Sequence, residues 1–225
     1  MPRLILLRHG QSAWNLEGRF AGWGDPPLSP EGIRQARAAG RRMAAAGAGP
    51  DAVFCSALAR AGQTLALALE GAGAAPGETV VSWRLNERHC GQWQGRLKRE
   101  IDDARLMAWR DQPQVRPPRL EPDDPRHPRH DPRYKDVPAS LLPSGESYAD
   151  LAQRLRPLWR DGISPNLRVH QCVWVVGHDG SLRSLAAIAL AAGPVALDPP
   201  PLPPAEPFVL ELNAELKVMA AGFLA

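Results

Sequence analysis

The 225-residue chain has only three lysines, three cysteines and no apolar run near the ~20 residues a bilayer-spanning helix needs. Its opening Leu4-Ile5-Leu6-Leu7 is just four apolar residues long before Arg8, with no cleavage site, so neither a signal peptide nor a membrane partner is expected. That reads as a soluble intracellular chain, cytoplasmic by expectation. Cys55, Cys90 and Cys172 are odd in number, far apart and without metal-ligand spacing, which argues against a disulfide framework and against zinc; no metal is expected. No block of five or six like charges occurs, so a nucleic-acid partner is not expected. A phosphate-binding Gly-rich loop ending in Lys-Ser/Thr and a Gly-x-Ser-x-Gly elbow are both missing, which disfavours nucleotide hydrolysis and serine hydrolysis.

What is present is ordinary globular composition, 44% hydrophobic, 23% charged and 6% aromatic, with a net charge of +3. A chain this long buries roughly 70–75% of its unfolded surface, enough for one large core. Apart from Lys98, Lys135 and Lys217 every cation is an arginine, and arginines so scattered suit a small anionic substrate better than a polyanion.

Of the 24 prolines, nine lie between Pro113 and Pro143 and seven between Pro194 and Pro207; neither stretch can be a regular helix. Elsewhere apolar runs alternate with helical patterns. Strands are expected at Leu4–Leu7, Ala52–Cys55, Thr79–Trp83 and Cys172–Val176, with a closing pair beginning at Phe208–Leu212. Helices are expected at Glu31–Ala46 (capped by Ser29, opened by Pro30, stopped by Gly47), Ala57–Leu69, Ser147–Trp159 and Ser181–Ala191. The alternation implies an α/β fold, a mostly parallel sheet covered on both faces, in a single domain over 1–225. The Pro-rich excursion at 113–143 is then expected to be a lid or a substrate-binding segment.

Ligands of open α/β sheets bind beyond the carboxyl ends of the strands. The first strand ends in Arg8-His9-Gly10. The second runs into Arg60, the third leads to Glu87-Arg88-His89, and the fourth to Gly177-His178-Asp179-Gly180-Ser181. Histidine can serve as a nucleophile, and guanidinium forks match phosphate oxygens. Phosphoryl transfer needs little beyond an in-line nucleophile, dispersed positive charge and a proton donor. His9 as nucleophile, Arg8, Arg60 and His178 around the phosphoryl oxygens, and Glu87 as proton donor would supply all three.

Leu7-Arg8-His9-Gly10-Gln11-Ser12-Ala13-Trp14-Asn15, with Arg19-Phe20-Ala21-Gly22-Trp23 after it, resembles the signature of cofactor-dependent phosphoglycerate mutases of the histidine phosphatase superfamily. The likeness continues through Leu28-Ser29-Pro30-Glu31-Gly32, Leu58-Ala59-Arg60-Ala61, Leu85-Asn86-Glu87-Arg88-His89, Gln94 to Lys98, Asp131 to Tyr134 and Ser181-Leu182-Arg183. The resemblance implies a three-layer α/β/α, phosphoglycerate mutase-like fold. It implies that His9 carries the phosphate, that Arg8, Asn15, Arg60 and His178 bind the transferring group, and that Glu87 is acid and base. Ala21, Gly22, Arg88, Lys98, Arg110 and Gly180 fall at substrate-holding positions. The implied reaction interconverts 3-phosphoglycerate and 2-phosphoglycerate, primed by 2,3-bisphosphoglycerate without a metal, in an enzyme that is often a homodimer.

Four departures bear on the acceptor. The family usually has Ser or Thr at Ala21, Tyr at Cys90, Arg at Asp111 and Gly-Asn where this chain has Asp179-Gly180. Asp111 and Asp179 add negative charge where a phosphorylated acid is expected. They leave open a phosphatase that hydrolyses small phosphomonoesters and, more remotely, a non-catalytic module that binds phosphorylated ligands.

Overall fold

The computed structural model describes residues 1–75, 77–191 and 198–224. Its frame is a six-stranded sheet in the order β3-β2-β4-β1-β5-β6, built from β1 (Arg3–Arg8), β2 (Ala52–Ser56), β3 (Glu78–Ser82), β4 (Cys172–Gly177), β5 (Pro207–Leu212) and β6 (Val218–Phe223). β3, β2, β4 and β1 are mutually parallel, while β5 pairs antiparallel with β1 and β6 antiparallel with β5. The seven α-helices among the described residues are α1 (Ala13–Leu16), α2 (Pro30–Ala45), α3 (Ala59–Ala72), α4 (Asp103–Asp111), α5 (Tyr148–Leu158), α6 (Ser164–Val169) and α7 (Asp179–Leu190).

Side-chain alternation on the central strands divides the core in two. Leu4, Leu6, Phe54, Val173 and Val175 point to the face covered by α5 and α7, where Leu151, Leu155, Leu182 and Leu185 meet them. Ile5, Leu7, Val53, Trp174 and Val176 point to the face covered by α2 and α3, against Met43, Ala61, Leu65 and Ala68. The molecule therefore has three layers, α/β/α. β4 is buried along its whole length, as a strand covered on both faces requires.

The expected elements are present, with shifted ends. α3 starts at Ala59 rather than Ala57: Leu58 is extended, and the Ser56 and Asp25 side chains accept from the Leu58 and Ala59 N–H groups. α5 does not end at Trp159. Pro157 lacks a donor for the preceding turn, the chain widens into a π turn over Trp159–Ile163, and α6 carries it on. α4 has a sequence pattern too short to stand out, and Asp102 caps it. The end of the expected helix Ser181–Ala191 is close to the observed one, while the Pro194–Leu197 part of the second proline stretch lies outside the described residues.

The 113–143 excursion is neither helix nor strand. It consists of turns, including one-turn 3-10 segments at Pro128–His130, Pro132–Tyr134 and Ala139–Leu141. Leu120, Tyr134 and Leu142 are buried, and Tyr134 packs 5.0 Å, ring to ring, from Trp23. Tyr134 and Leu142, with Val137, fasten the segment to a small apolar cluster around Trp23, Ala57 and Trp83.

Candidate active site

At the carboxyl ends of β1, β2, β4 and β3 lies a crevice of about 480 Å³. Its walls carry Arg8, His9, Asn15, Ala21, Gly22, Arg60, Glu87, Arg88, Lys98, Arg110 and Gly180, together with Arg19, Cys90, Asp111, Tyr148, Asp179 and Arg183. His178 is not on the wall. It is fully buried beside His9, with 5.0 Å between ring centroids. No residue of the 113–143 excursion lines the crevice, so the expectation of a lid there is corrected: Tyr134, Val137 and Leu142 are committed to the cluster around Trp23. The segment that does border the crevice is 198–206, through Pro201.

His9 follows β1 directly, and its N–H continues the ladder to Gly177 O at 2.9 Å. Its Nδ1 lies 2.7 Å from Gly10 O. A carbonyl can only accept, so Nδ1 carries the hydrogen and Nε2 is left with its lone pair. Arg60 Nε donates toward that lone pair at 3.3 Å. Burial, then the charges of Arg60 and Arg8, hold the His9 pKa well below the usual histidine range, so the ring is a neutral base at physiological pH.

Arg60 is 1% exposed, and its guanidinium is fixed by the carbonyls of Gly24 at 2.6 Å and Gly22 at 2.9 Å. Gly22 turns back with φ +50°, and a side chain there would crowd Cys90, so the short route from Phe20 to Trp23 needs glycine. Burial pulls the Arg60 pKa down to about 10, which still leaves it a cation. Arg8 Nη1 donates to Leu202 O at 2.6 Å, whereas its Nε is buried with no partner. Asn15 Oδ1 accepts from the Ser12 N–H at 3.1 Å, which leaves the amide NH2 as the donor it can offer a ligand.

Glu87 Oε1 accepts from the N–H groups of Arg88 at 2.8 Å and Gly180 at 3.1 Å. A Cβ on residue 180 would sit 2.5 Å from that oxygen, so the contact requires glycine there. Burial, reinforced by the Asp179 charge, pushes the Glu87 pKa up against the opposing pull of the Arg88 N–H, Arg60 and Arg8. A carboxyl so held can give a proton to a leaving oxygen. Asp179 itself accepts from Leu202 N–H at 2.7 Å, so it ties down the 198–206 segment as well as charging the wall.

The outer crevice is cationic. Arg88 lies flat between the rings of Trp109 and Tyr148, 3.5 and 3.7 Å from their centroids, and donates to Trp109 O at 2.9 Å. Lys98 and Arg110 stand on the same wall, joined by Arg19 and Arg183, with Asp111 the exposed anion among them. Cys90 packs in an aromatic cluster with Phe20, Trp93 and Trp109, and burial pushes its thiol up to about 12, so it fills space as an inert apolar group. Among the described residues no group of three or more His, Cys, Asp or Glu is placed to hold a metal, and no helix is long and apolar enough to cross a membrane.

Sequence reasoning missed the support beneath Glu87. Glu146 and Arg154 form a buried pair at 2.7 Å; Arg154 also donates to the carbonyls of Trp83, Arg84, Asn86 and Glu87, and Glu146 accepts from His89 N–H. The signal was there: Arg154 sits on the apolar stripe of α5 between Leu151 and Leu155, where a solvated charge would be out of place.

A family model described as histidine phosphatase superfamily (branch 1) matches residues 4–221, and the chain belongs to that superfamily. Within it, the chain is 42% identical over 228 aligned residues to a 2,3-bisphosphoglycerate-dependent phosphoglycerate mutase of Nitratidesulfovibrio vulgaris (strain DP4), covering 100% of this chain and 91% of the relative. A protein of the same description from Thermobifida fusca (strain YX) is 41% identical, covering 99% and 92%. Among solved structures, a mycobacterial glucosyl-3-phosphoglycerate phosphatase in complex with VO3 superposes with a TM-score of 0.73 at 27% identity, covering 100% of this chain and 98% of that one.

Proposed function

We propose that the protein is a phosphoglycerate mutase that interconverts 3-phosphoglycerate and 2-phosphoglycerate through a phosphohistidine on His9. The observation that carries the reading is the His9 Nε2 lone pair, backed by the Nδ1–H to Gly10 bond and facing Arg60 in a crevice that also holds a carboxyl with a raised pKa. The full-length likeness to curated mutases selects the reaction within the superfamily.

In this mechanism His9 Nε2 attacks phosphorus in line. Arg8, Arg60 and the Asn15 amide spread the charge of the equatorial oxygens, with His178 beside them, and Glu87 protonates the leaving oxygen. In the return step Glu87 takes the proton from the attacking hydroxyl. Losing one preorganised donor of this kind typically costs about 3–4 kcal/mol of barrier. Arg88, Lys98 and Arg110 hold the carboxylate and the second anionic group.

The crevice also fits 2,3-bisphosphoglycerate. Its cations outnumber Glu87, Asp111 and Asp179, and the unpartnered Arg8 Nε asks for an anion. When bound, that molecule supplies the phosphoryl group that primes His9; Arg8 and Arg60 would hold one end and Arg88, Lys98 and Arg110 the other. We read the reaction as metal-free, the protein as cytoplasmic without membrane or nucleic-acid partners, the whole chain as one domain, and a homodimer as its assembly.

A coupled assay tests this directly: 3-phosphoglycerate should yield 2-phosphoglycerate, with a strong dependence on added 2,3-bisphosphoglycerate. A second reading, hydrolysis of small phosphomonoesters, is favoured by Asp111 on the crevice wall and by the phosphatase among the structural neighbours. Phosphate release from several monoesters with no isomerisation would select it instead.

A further inference from the structure

His178 Nε2 lies 2.9 Å from Ser56 Oγ at the end of β2, in a fully buried setting. Ser56 Oγ is in turn 2.8 Å from Asn86 Oδ1. The orientation of the Asn86 amide is fixed by the Ala57 N–H, which can only donate and does so to Oδ1 at 3.0 Å; Nδ2 then donates to the Tyr134 hydroxyl at 2.8 Å. An amide oxygen cannot donate, so the Ser56 hydroxyl hydrogen goes to Asn86. Ser56 Oγ can then only accept from His178, and Nε2 must carry the ring hydrogen. The neutral ring is left bare at Nδ1, and that atom is buried without a partner.

A bare nitrogen repels a phosphoryl oxygen, whereas a protonated one gives it a charge-assisted hydrogen bond. We propose that Ser56 is a positioning residue that locks His178 as its Nε2–H tautomer, so that a phosphoryl group entering beside His9 binds together with one proton taken up at His178 Nδ1. The inference rests on the phosphoryl site proposed above. The bookkeeping is simple: one N–H bond forms, the proton comes from solvent or from the P–OH of a monoanion, and the imidazolium offsets one negative charge of the bound group.

The charged groups around His178 keep the free ring neutral. Burial, Arg60 on α3, His9 just after β1, Arg8 at its end and Arg154 on α5 all lower its pKa. A phosphoryl dianion reverses that balance. Tyr134 belongs to the 113–143 excursion and is buried, so the excursion covers the outer end of this hydrogen-bond chain, whose direction is set by the Ala57 N–H.

The test is ring nitrogen NMR on full-length protein labelled with 15N-histidine, at mildly alkaline pH, with inorganic phosphate as the probe and His178→Gln for assignment. The free protein should show His178 with a protonated Nε2 and a bare Nδ1, and saturating phosphate should protonate both nitrogens. In Ser56→Ala the free ring should shift substantially to the Nδ1–H tautomer and bind phosphate without gaining a proton; Ser56→Thr should restore the original pattern. A free ring already protonated at Nδ1, a bare Nδ1 in the phosphate complex, or a Ser56→Ala protein with the unaltered pattern would each overturn the proposal. Should Ser56→Ala fail to fold, the two states of the unmodified protein decide alone. Failure of phosphate to perturb either His9 or His178 would refute the phosphoryl site itself.

Discussion

Replacing Arg154 by methionine tests the support of the acid–base loop. The guanidinium binds both oxygens of Glu146, at 2.7 and 2.8 Å, and reaches carbonyls from Trp83 to Glu87, with both partners almost fully buried. Methionine fills a similar volume but strands the Glu146 carboxylate, which retains only the His89 N–H at 2.9 Å. Breaking a buried pair from one side typically costs about 3–5 kcal/mol, a large share of the roughly 5–15 kcal/mol that stabilises a domain. Urea unfolding should register that loss in the midpoint with little change in slope. The double variant Glu146→Gln/Arg154→Met removes the stranded charge and should be the more stable of the two. As a control, Arg116→Ala breaks the partly exposed, solvent-screened bidentate pair with Asp150 and should cost only about 1 kcal/mol or less. An Arg154→Met protein that loses less than about 1 kcal/mol, or a double variant less stable than it, refutes the reasoning.

Other expectations follow from the crevice. Arg60→Ala should lower kcat by about 10²–10³ with KM little changed, because the side chain acts on the transferring group; a change confined to KM would contradict that role. Asp179→Asn removes a charge that raises the Glu87 pKa, so Glu87 would ionise at lower pH and the alkaline limb of the kcat profile should move acidward. An unmoved limb would separate Glu87 from that limb. Asp111→Arg should lower KM for phosphoglycerates, by about 1–3 kcal/mol of binding, if the acid is held on that wall; an unchanged KM would remove Asp111 from the contact. Burial lowers the His89 pKa to about 3, so acidification favours the unfolded chain, which binds the proton more readily. Stability should fall as pH drops from the ordinary histidine value toward 3, and His89→Gln should flatten part of that slope.

The parallel strands and the residues after them were legible because apolar runs of the right length lead to Arg8-His9, Arg60, Glu87 and His178, and because a parallel sheet gathers such ends at one edge. Chemistry carried on strand ends is readable when the strands are. What the sequence concealed depends on packing between distant segments. The hold of Arg154 on the carbonyls from Trp83 to Glu87, the Trp109–Arg88–Tyr148 stack and the Ser56–Asn86–Tyr134 chain each join segments tens of residues apart through buried polar contacts. The excursion misled for a related reason. Its proline content excludes regular structure, but where it lies is decided by Tyr134, Val137 and Leu142 finding Trp23 and its neighbours. Asp179 is comparable: the chain shows a charge next to a histidine, and only the fold shows its oxygen on Leu202 N–H.

Phosphoryl transfer here requires that His9 accept the group at Nε2. Protein incubated briefly with 2,3-bisphosphoglycerate and analysed intact by mass spectrometry should gain one phosphoryl mass, acid-labile and stable to base. Peptide mapping should assign it to His9, and His9→Ala should abolish it. A phosphoryl group found on another residue, or full turnover by the His9→Ala protein, would contradict the central claim.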